Sequence, residues 1–195
     1  MERERYQALK TQVKAREKEV NAFLSFLEEK TSWLTAPAST RFHNSFEQGL
    51  LRHSVLVAEL LLKLKALLSP DISNESCVIV GLFHDVGKVG LPGKPLYLPN
   101  IEKIPNRGER KYIVNPNLVY LGLGVRSLLL VSKFIPLSEE EAQAIAYHDG
   151  QYIEENKHIA HREEPLTLLL SYADNWAGGV LEKREFKQKS EKINF

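Results

Sequence analysis

The chain of 195 residues carries 26 Lys+Arg against 25 Asp+Glu, a net charge of +1, so it lacks the basic footprint that attracts duplex nucleic acid. Hydrophobic residues at 43% and charged residues at 26% are ordinary globular proportions, and this length can bury a core without covalent staples. A lone cysteine, Cys77, excludes an internal disulfide, and no apolar run nears the roughly 20 residues of a membrane span. With a charged start that has no signal core, the expectation is a cytoplasmic protein with no membrane partner.

Tyr6, Leu9, Val13, Val20, Phe23, Leu24 and Leu27 fall on one helical stripe among Arg, Lys and Glu. This predicts a long amphipathic helix in an N-terminal unit, residues 1–35, packing on the core. The stripe lapses at Arg16 and Glu17 and sustains no heptad, so a homodimer contact through this helix is its secondary use. The main domain is expected over 36–184. It opens with a loop carrying Pro37, then a helix from Ser45 to Leu68 with Leu50, Val57, Leu60, Leu61 and Leu64 inward. Ser69-Pro70-Asp71 stops that helix. The next helix, Asn74 to Asp85, is apolar on nearly every side and belongs in the middle of a bundle, with Cys77 buried in it and Gly87 as its stop.

Residues 89–122 are dense in Pro, Gly and Asn, which predicts a long loop or a small hairpin. Short strands at Leu96–Leu98 and Lys111–Val114 would pair across Arg107-Gly108-Glu109. Helices resume over 124–134, 139–148 and 166–184. Ser138 with Glu141 forms a capping box for the second, and Pro165 suits the first turn of the third. Residues 185–195 read as a solvated tail. The fold class is all-α.

The polar residues inside this apolar frame carry the chemistry. His53 lies on the inward stripe of its helix, His84 and Asp85 close the most apolar helix, and His148 lies three residues beyond Ile145 and points inward. Asp174 stands four residues after Leu170 on a core-facing stripe. An ionised carboxylate there is costly unless a cation or a hydrogen-bond donor meets it. A single inward histidine is usually a hydrogen-bonded core residue; these five groups together are best satisfied by one divalent metal. Nitrogen and oxygen ligation without thiolate favours Mn, Fe, Co, Ni or Zn over Ca, with Mg also open.

The order His53 … His84-Asp85 … Asp174, set in G-L-L-R-H-S, F-H-D-V-G-K and S-Y-A-D-N-W-A, resembles the HD-domain metal-dependent phosphohydrolases over residues 40 to 180. F-H-N-S-F-E-Q-G-L-L-R-H-S is also similar to the opening of HD segments in 3′–5′ exoribonucleases and conjugative relaxases, where a pair of glycines often stands at Gln48-Gly49. The resemblance implies an HD-like helical bundle with His53, His84, Asp85 and Asp174 as metal ligands. It also implies that Lys88 contacts a substrate phosphate and that His148 lines the pocket wall. Related sequences often carry a histidine in G-H-G-x-R-S; this chain has Leu123 there, so one metal is expected.

The substrate expected is a small phosphorylated molecule, a nucleotide or a short single-stranded oligonucleotide. In the corresponding mechanism Asp85 holds the metal and orients water, Lys88 offsets phosphate charge and His148 protonates the leaving group. His43 at the pocket mouth and Arg107, Arg110, Arg126 and Lys94 are candidate substrate contacts, because guanidinium matches phosphate in bidentate fashion. His158 and His161 read as surface residues, and Asp149 as a helix-end residue. Two rival readings are a nucleotide sensor that keeps the metal without turnover, and an HD core that supports an assembly.

Overall fold

The computed structural model describes residues 2–41, 44–101 and 110–184. Among the described residues the fold is mostly helical, with one small two-stranded sheet, and none of the helices is long and apolar enough to cross a membrane. His43, Arg107, the predicted hairpin turn and the predicted tail lie outside the described residues.

The N-terminal stripe forms two helices rather than the single long one predicted: α1 (Glu2–Lys10) and α2 (Glu17–Lys30). A tertiary interaction makes the break. Glu75 accepts from the backbone N–H groups of Lys14 and Ala15 at 2.7 and 2.8 Å, which holds the turn open. The Arg16 guanidinium then reaches Glu75 at 2.8 Å and both carboxylate oxygens of Glu141 at 2.6 Å. All seven stripe residues are buried in the same apolar core as the helices that follow. They are therefore covered within this chain. Trp33 is fully buried between them, its Nε1–H donating to the Tyr6 hydroxyl at 3.2 Å, and Phe23 meets Phe83 edge-on at 5.0 Å.

Helix α3 (Gly49–Leu68) begins four residues later than the apolar pattern suggests. Gln48 stands before it in the left-handed region at φ 67°, and a Cβ on Gly49 would lie 2.0 Å from the Asn44 carbonyl oxygen. Helix α4 (Asn74–Phe83) is started by the Ser73 hydroxyl, which accepts from the Ser76 N–H at 2.9 Å. Every residue from Cys77 to Phe83 is buried, as expected for a central helix. It crosses α3 closely at Gly81, where a Cβ would stand 2.6 Å from the Cα of Ala58.

The α-helix ends at Phe83, and a 3₁₀ turn covers Val86–Val89. Gly87 does not reverse the chain. Its N–H donates to the Ser127 hydroxyl at 2.9 Å, and the space beside it is taken by the Leu123 carbonyl, so glycine is needed for close approach. The reversal falls at Gly90, φ 77°. Strands β1 (Tyr97–Pro99) and β2 (Tyr112–Val114) pair antiparallel, with Leu98 opposite Ile113. Helices α5 (Leu123–Val131), α6 (Glu139–Tyr147) and α7 (Pro165–Trp176) follow. The capping box at Ser138 and Glu141 and the first-turn Pro165 stand where the sequence puts them. Helix α7 was expected to run unbroken to residue 184; instead it passes into a π-helical turn at Ala177–Leu181.

Candidate metal centre

Three histidines reach one buried point from three helices, and each is oriented through its Nδ1. His84 and His148 occupy the first position beyond α4 and α6, where the last carbonyls have no helical partner. Each ring uses one of them: His84 Nδ1–H donates to the Gly81 carbonyl and His148 Nδ1–H to the Ile145 carbonyl, both at 2.9 Å. A carbonyl only accepts, so Nδ1 carries a proton in each ring and Nε2 is the nitrogen turned toward the cluster. His53 lies within α3 and binds Glu182 instead, Nδ1 to Oε1 at 2.9 Å, with both side chains 1% exposed.

Two carboxylates meet these nitrogens. Asp174, from α7, stands 2.9 Å from His53 Nε2 and 3.9 Å from His84 Nε2. Asp85 lies 3.6 Å from His53 Nε2, 3.7 Å from His84 Nε2 and 3.4 Å from His148 Nε2. Two overlapping triads, His53–His84–Asp85 and His84–His148–Asp174, each bring their ligand atoms within 4.8 Å of one another. Lys88, one turn on from Asp85, forms an ion pair with its Oδ2.

This donor set fits a divalent cation. His84 Nε2 and Asp85 Oδ1 are buried and have no hydrogen-bond partner among the described residues, a costly arrangement for two adjacent ligand-type atoms. A cation placed among them would satisfy both. His53, His84, Asp85, His148 and Asp174 could together hold a metal ion.

The electrostatics follow from the crowding of opposite charges in a dry site. Burial opposes a charge on His53, but its hydrogen bonds to Asp174 and Glu182 outweigh that and raise it to about 10. Burial likewise opposes a charge on His148, and the Asp85 carboxylate 3.4 Å away, with the charge of Asp149, raises it to about 9. His84 has no such hydrogen bond, so burial prevails and lowers it to about 4. Burial would push Asp85 upward, yet Lys88, His84 and His148 hold it well below the usual carboxylate range. Asp174 is depressed in the same way: the His53 hydrogen bond overcomes its burial. For Lys88, the Asp85 carboxylate overcomes burial and keeps the ammonium charged.

The structure thus brings together His53, His84, Asp85, Lys88, His148 and Asp174. The other candidates stand elsewhere. Arg126 is turned inward, 4% exposed, and donates to the Val119 carbonyl at 3.1 Å, which ties the end of the 89–122 segment to α5. No described contact carries the Arg110 side chain to the cluster; its backbone carbonyl accepts from Asn100 across the hairpin at 2.8 Å. His158 and His161 are exposed, and so is Lys94 at the tight turn with Leu91.

Three residues at the site escaped the sequence reading. Asp149, read as a helix end, places Oδ2 3.6 Å from His148 Nε2, and burial raises its carboxyl. Tyr97, on β1, has its hydroxyl pushed up by burial and is near enough to Lys88, Asp85 and Arg126 to respond to their charges. Glu182, the third, is visible only once the π-helical turn is known. No family model, no curated protein and no solved structure matches the chain.

Proposed function

We propose that the protein is a metal-dependent phosphohydrolase of the HD type, acting on a phosphomonoester or phosphodiester of a nucleotide or short oligonucleotide. The observation that carries this reading is the convergence of three imidazole Nε2 atoms and two carboxylates on one buried point, with the Lys88 ammonium at its edge. The H…HD…D order of His53, His84-Asp85 and Asp174 supports it. When bound, a divalent cation supplies a water acidified from about 15.7 toward 7 and a Lewis acid for a phosphoryl oxygen. His53, His84, Asp85 and Asp174 would hold it.

The remaining groups divide the work on the ester. Lys88 neutralises charge that grows on the phosphoryl oxygens. His148 Nε2 stands 3.4 Å from Asp85 and 3.6 Å from Asp149, carboxylates that favour its protonated form, so it can give a proton to the departing alkoxide. That role excludes ligation by the same nitrogen. Tyr97, on β1, is near enough to Lys88 to feel its charge and would meet the substrate on that side.

The test is metal analysis of protein supplied with Mn, Ni or Zn, followed by turnover of 4-nitrophenyl phosphate, bis(4-nitrophenyl) phosphate, nucleotides and short oligonucleotides. Asp85→Ala is expected to lose both metal and activity. Lys88→Ala keeps the metal and loses kcat by about a hundredfold, on the order of 3 kcal/mol of transition-state stabilisation. Full activity in Asp85→Ala refutes the catalytic reading. Bound metal with no turnover on any substrate class identifies the rival, a nucleotide sensor.

A further inference from the structure

We infer that Glu182 is a positioning residue of the metal centre, delivered to His53 by the π-helical turn at Ala177–Leu181. This rests on the reading that the cluster holds a divalent cation.

The three imidazoles are oriented in two different ways. His84 and His148 follow the ends of their helices and borrow a free carbonyl three residues back. His53 lies inside the continuous helix Gly49–Leu68, where carbonyls point along the axis and are taken by the helical ladder. Its Nδ1 therefore needs an acceptor from another element. Glu182, 129 residues away in the chain, provides one at 2.9 Å.

Helical geometry shows why the turn is needed. Glu182 follows Asp174 by eight residues, about 800° in a regular α-helix, which places it roughly 80° around from the face of Asp174. A π turn takes about one residue more per revolution and brings the carboxylate to within roughly 20° of that face. Asp174 and Glu182 can then bind opposite nitrogens of the same ring: Asp174 Oδ1 meets Nε2, and Glu182 Oε1 meets Nδ1. Burial of a carboxylate is unfavourable without partners, so a buried Glu182 against a ligand-type imidazole is an expensive arrangement to retain. A carboxylate on the far nitrogen fixes the tautomer and ring plane and makes the near nitrogen a stronger ligand.

The experiment measures zinc affinity by competition with a chromophoric chelator, and reads the His53 tautomer of the zinc-loaded wild-type protein by long-range proton–nitrogen NMR. Glu182→Leu, which removes the acceptor, is expected to weaken zinc binding by about 10- to 100-fold. Deletion of Gly179, which closes the π turn to a regular α-helix, leaves Glu182 seven residues after Asp174, about 700° and so roughly 20° from that face, and should keep zinc affinity within about fivefold of wild type. Glu182→Gln keeps an acceptor oxygen and should stay within about fivefold of wild type, with unfolding in EDTA unchanged as the control for fold. The wild-type spectrum should show His53 protonated on Nδ1. Wild-type affinity in Glu182→Leu, or His53 protonated on Nε2 in the loaded protein, overturns this inference alone. So does a loss in folded Glu182→Gln as large as in Glu182→Leu. A wild-type chain that takes up no zinc overturns the metal reading together with it.

Discussion

Gln48 occupies a backbone conformation at φ 67° in which a side chain is strained by about 1–2 kcal/mol. The strain persists because Gly49, beside it, must pack against the Asn44 and Ala38 backbones to launch α3 toward the cluster. Gln48→Gly relieves it, less the entropy that glycine adds to the unfolded chain, and is expected to raise stability by about 0.5–1 kcal/mol in denaturant unfolding. A loss of stability would show that the Gln48 side chain contributes more than the backbone costs. At this scale the sequence is informative where residue type conflicts with surroundings. His53, His84, Asp85, His148 and Asp174 are polar groups on apolar stripes, and that conflict is legible without coordinates. Asp149 and Tyr97 raise no such conflict, since a carboxylate at a helix end and a tyrosine in a strand are unexceptional. Glu182 sits on the wrong face of any regular helix drawn through it.

Elements are legible to the extent that local pattern decides them. The capping box at Ser138 and the first-turn Pro165 are local devices, and the helices they begin stand as read. The α1–α2 break is different: the stripe lapses at Arg16 and Glu17, but Val13 and Val20, seven residues apart, resume it on the face one helix would use. What opens the chain there is Glu75 on α4, bound to two backbone N–H groups, and the Arg16 guanidinium it shares with Glu141 on α6. Sequence periodicity carries no record of such a partner. The Glu141 side chain is only 2% exposed, so removing Arg16 leaves a carboxylate with little water to replace it. Arg16→Ala is therefore expected to cost about 3 kcal/mol in thermal or denaturant unfolding, well above the value of an exposed ion pair. A cost below about 1 kcal/mol would mean that the Glu141 carboxylate is satisfied without Arg16, the Ser138 N–H among its donors.

Across the whole molecule, the charge that matters is concentrated in the cluster rather than on the near-neutral surface, and its proton count links folding to metal uptake. In chelator-treated protein, His53 at about 10 and His148 at about 9 are raised above the unfolded value near 6.5, while His84 at about 4 is lowered. The raised pair contributes stability that is complete below about pH 6.5 and is lost as pH climbs through 9 to 10. The lowered His84 acts in the opposite sense: its contribution is complete above about pH 6.5 and is lost as pH falls through 4. Metal-free stability should thus peak near pH 6.5 and fall on both sides, as followed by thermal unfolding across pH. Metal ligation demands a free lone pair on His53 Nε2, so uptake near neutrality must expel that proton. If His148 keeps its own proton as the acid, binding releases about one proton near pH 7.5, and apparent affinity rises about tenfold per pH unit from 6.5 to 9. If His148 ligates, about two protons leave and the slope doubles. Calorimetric titration with zinc in two buffers of different ionisation enthalpy counts them directly. About one proton upholds the role given to His148, about two makes it a ligand, and none removes His53 from the metal's coordination.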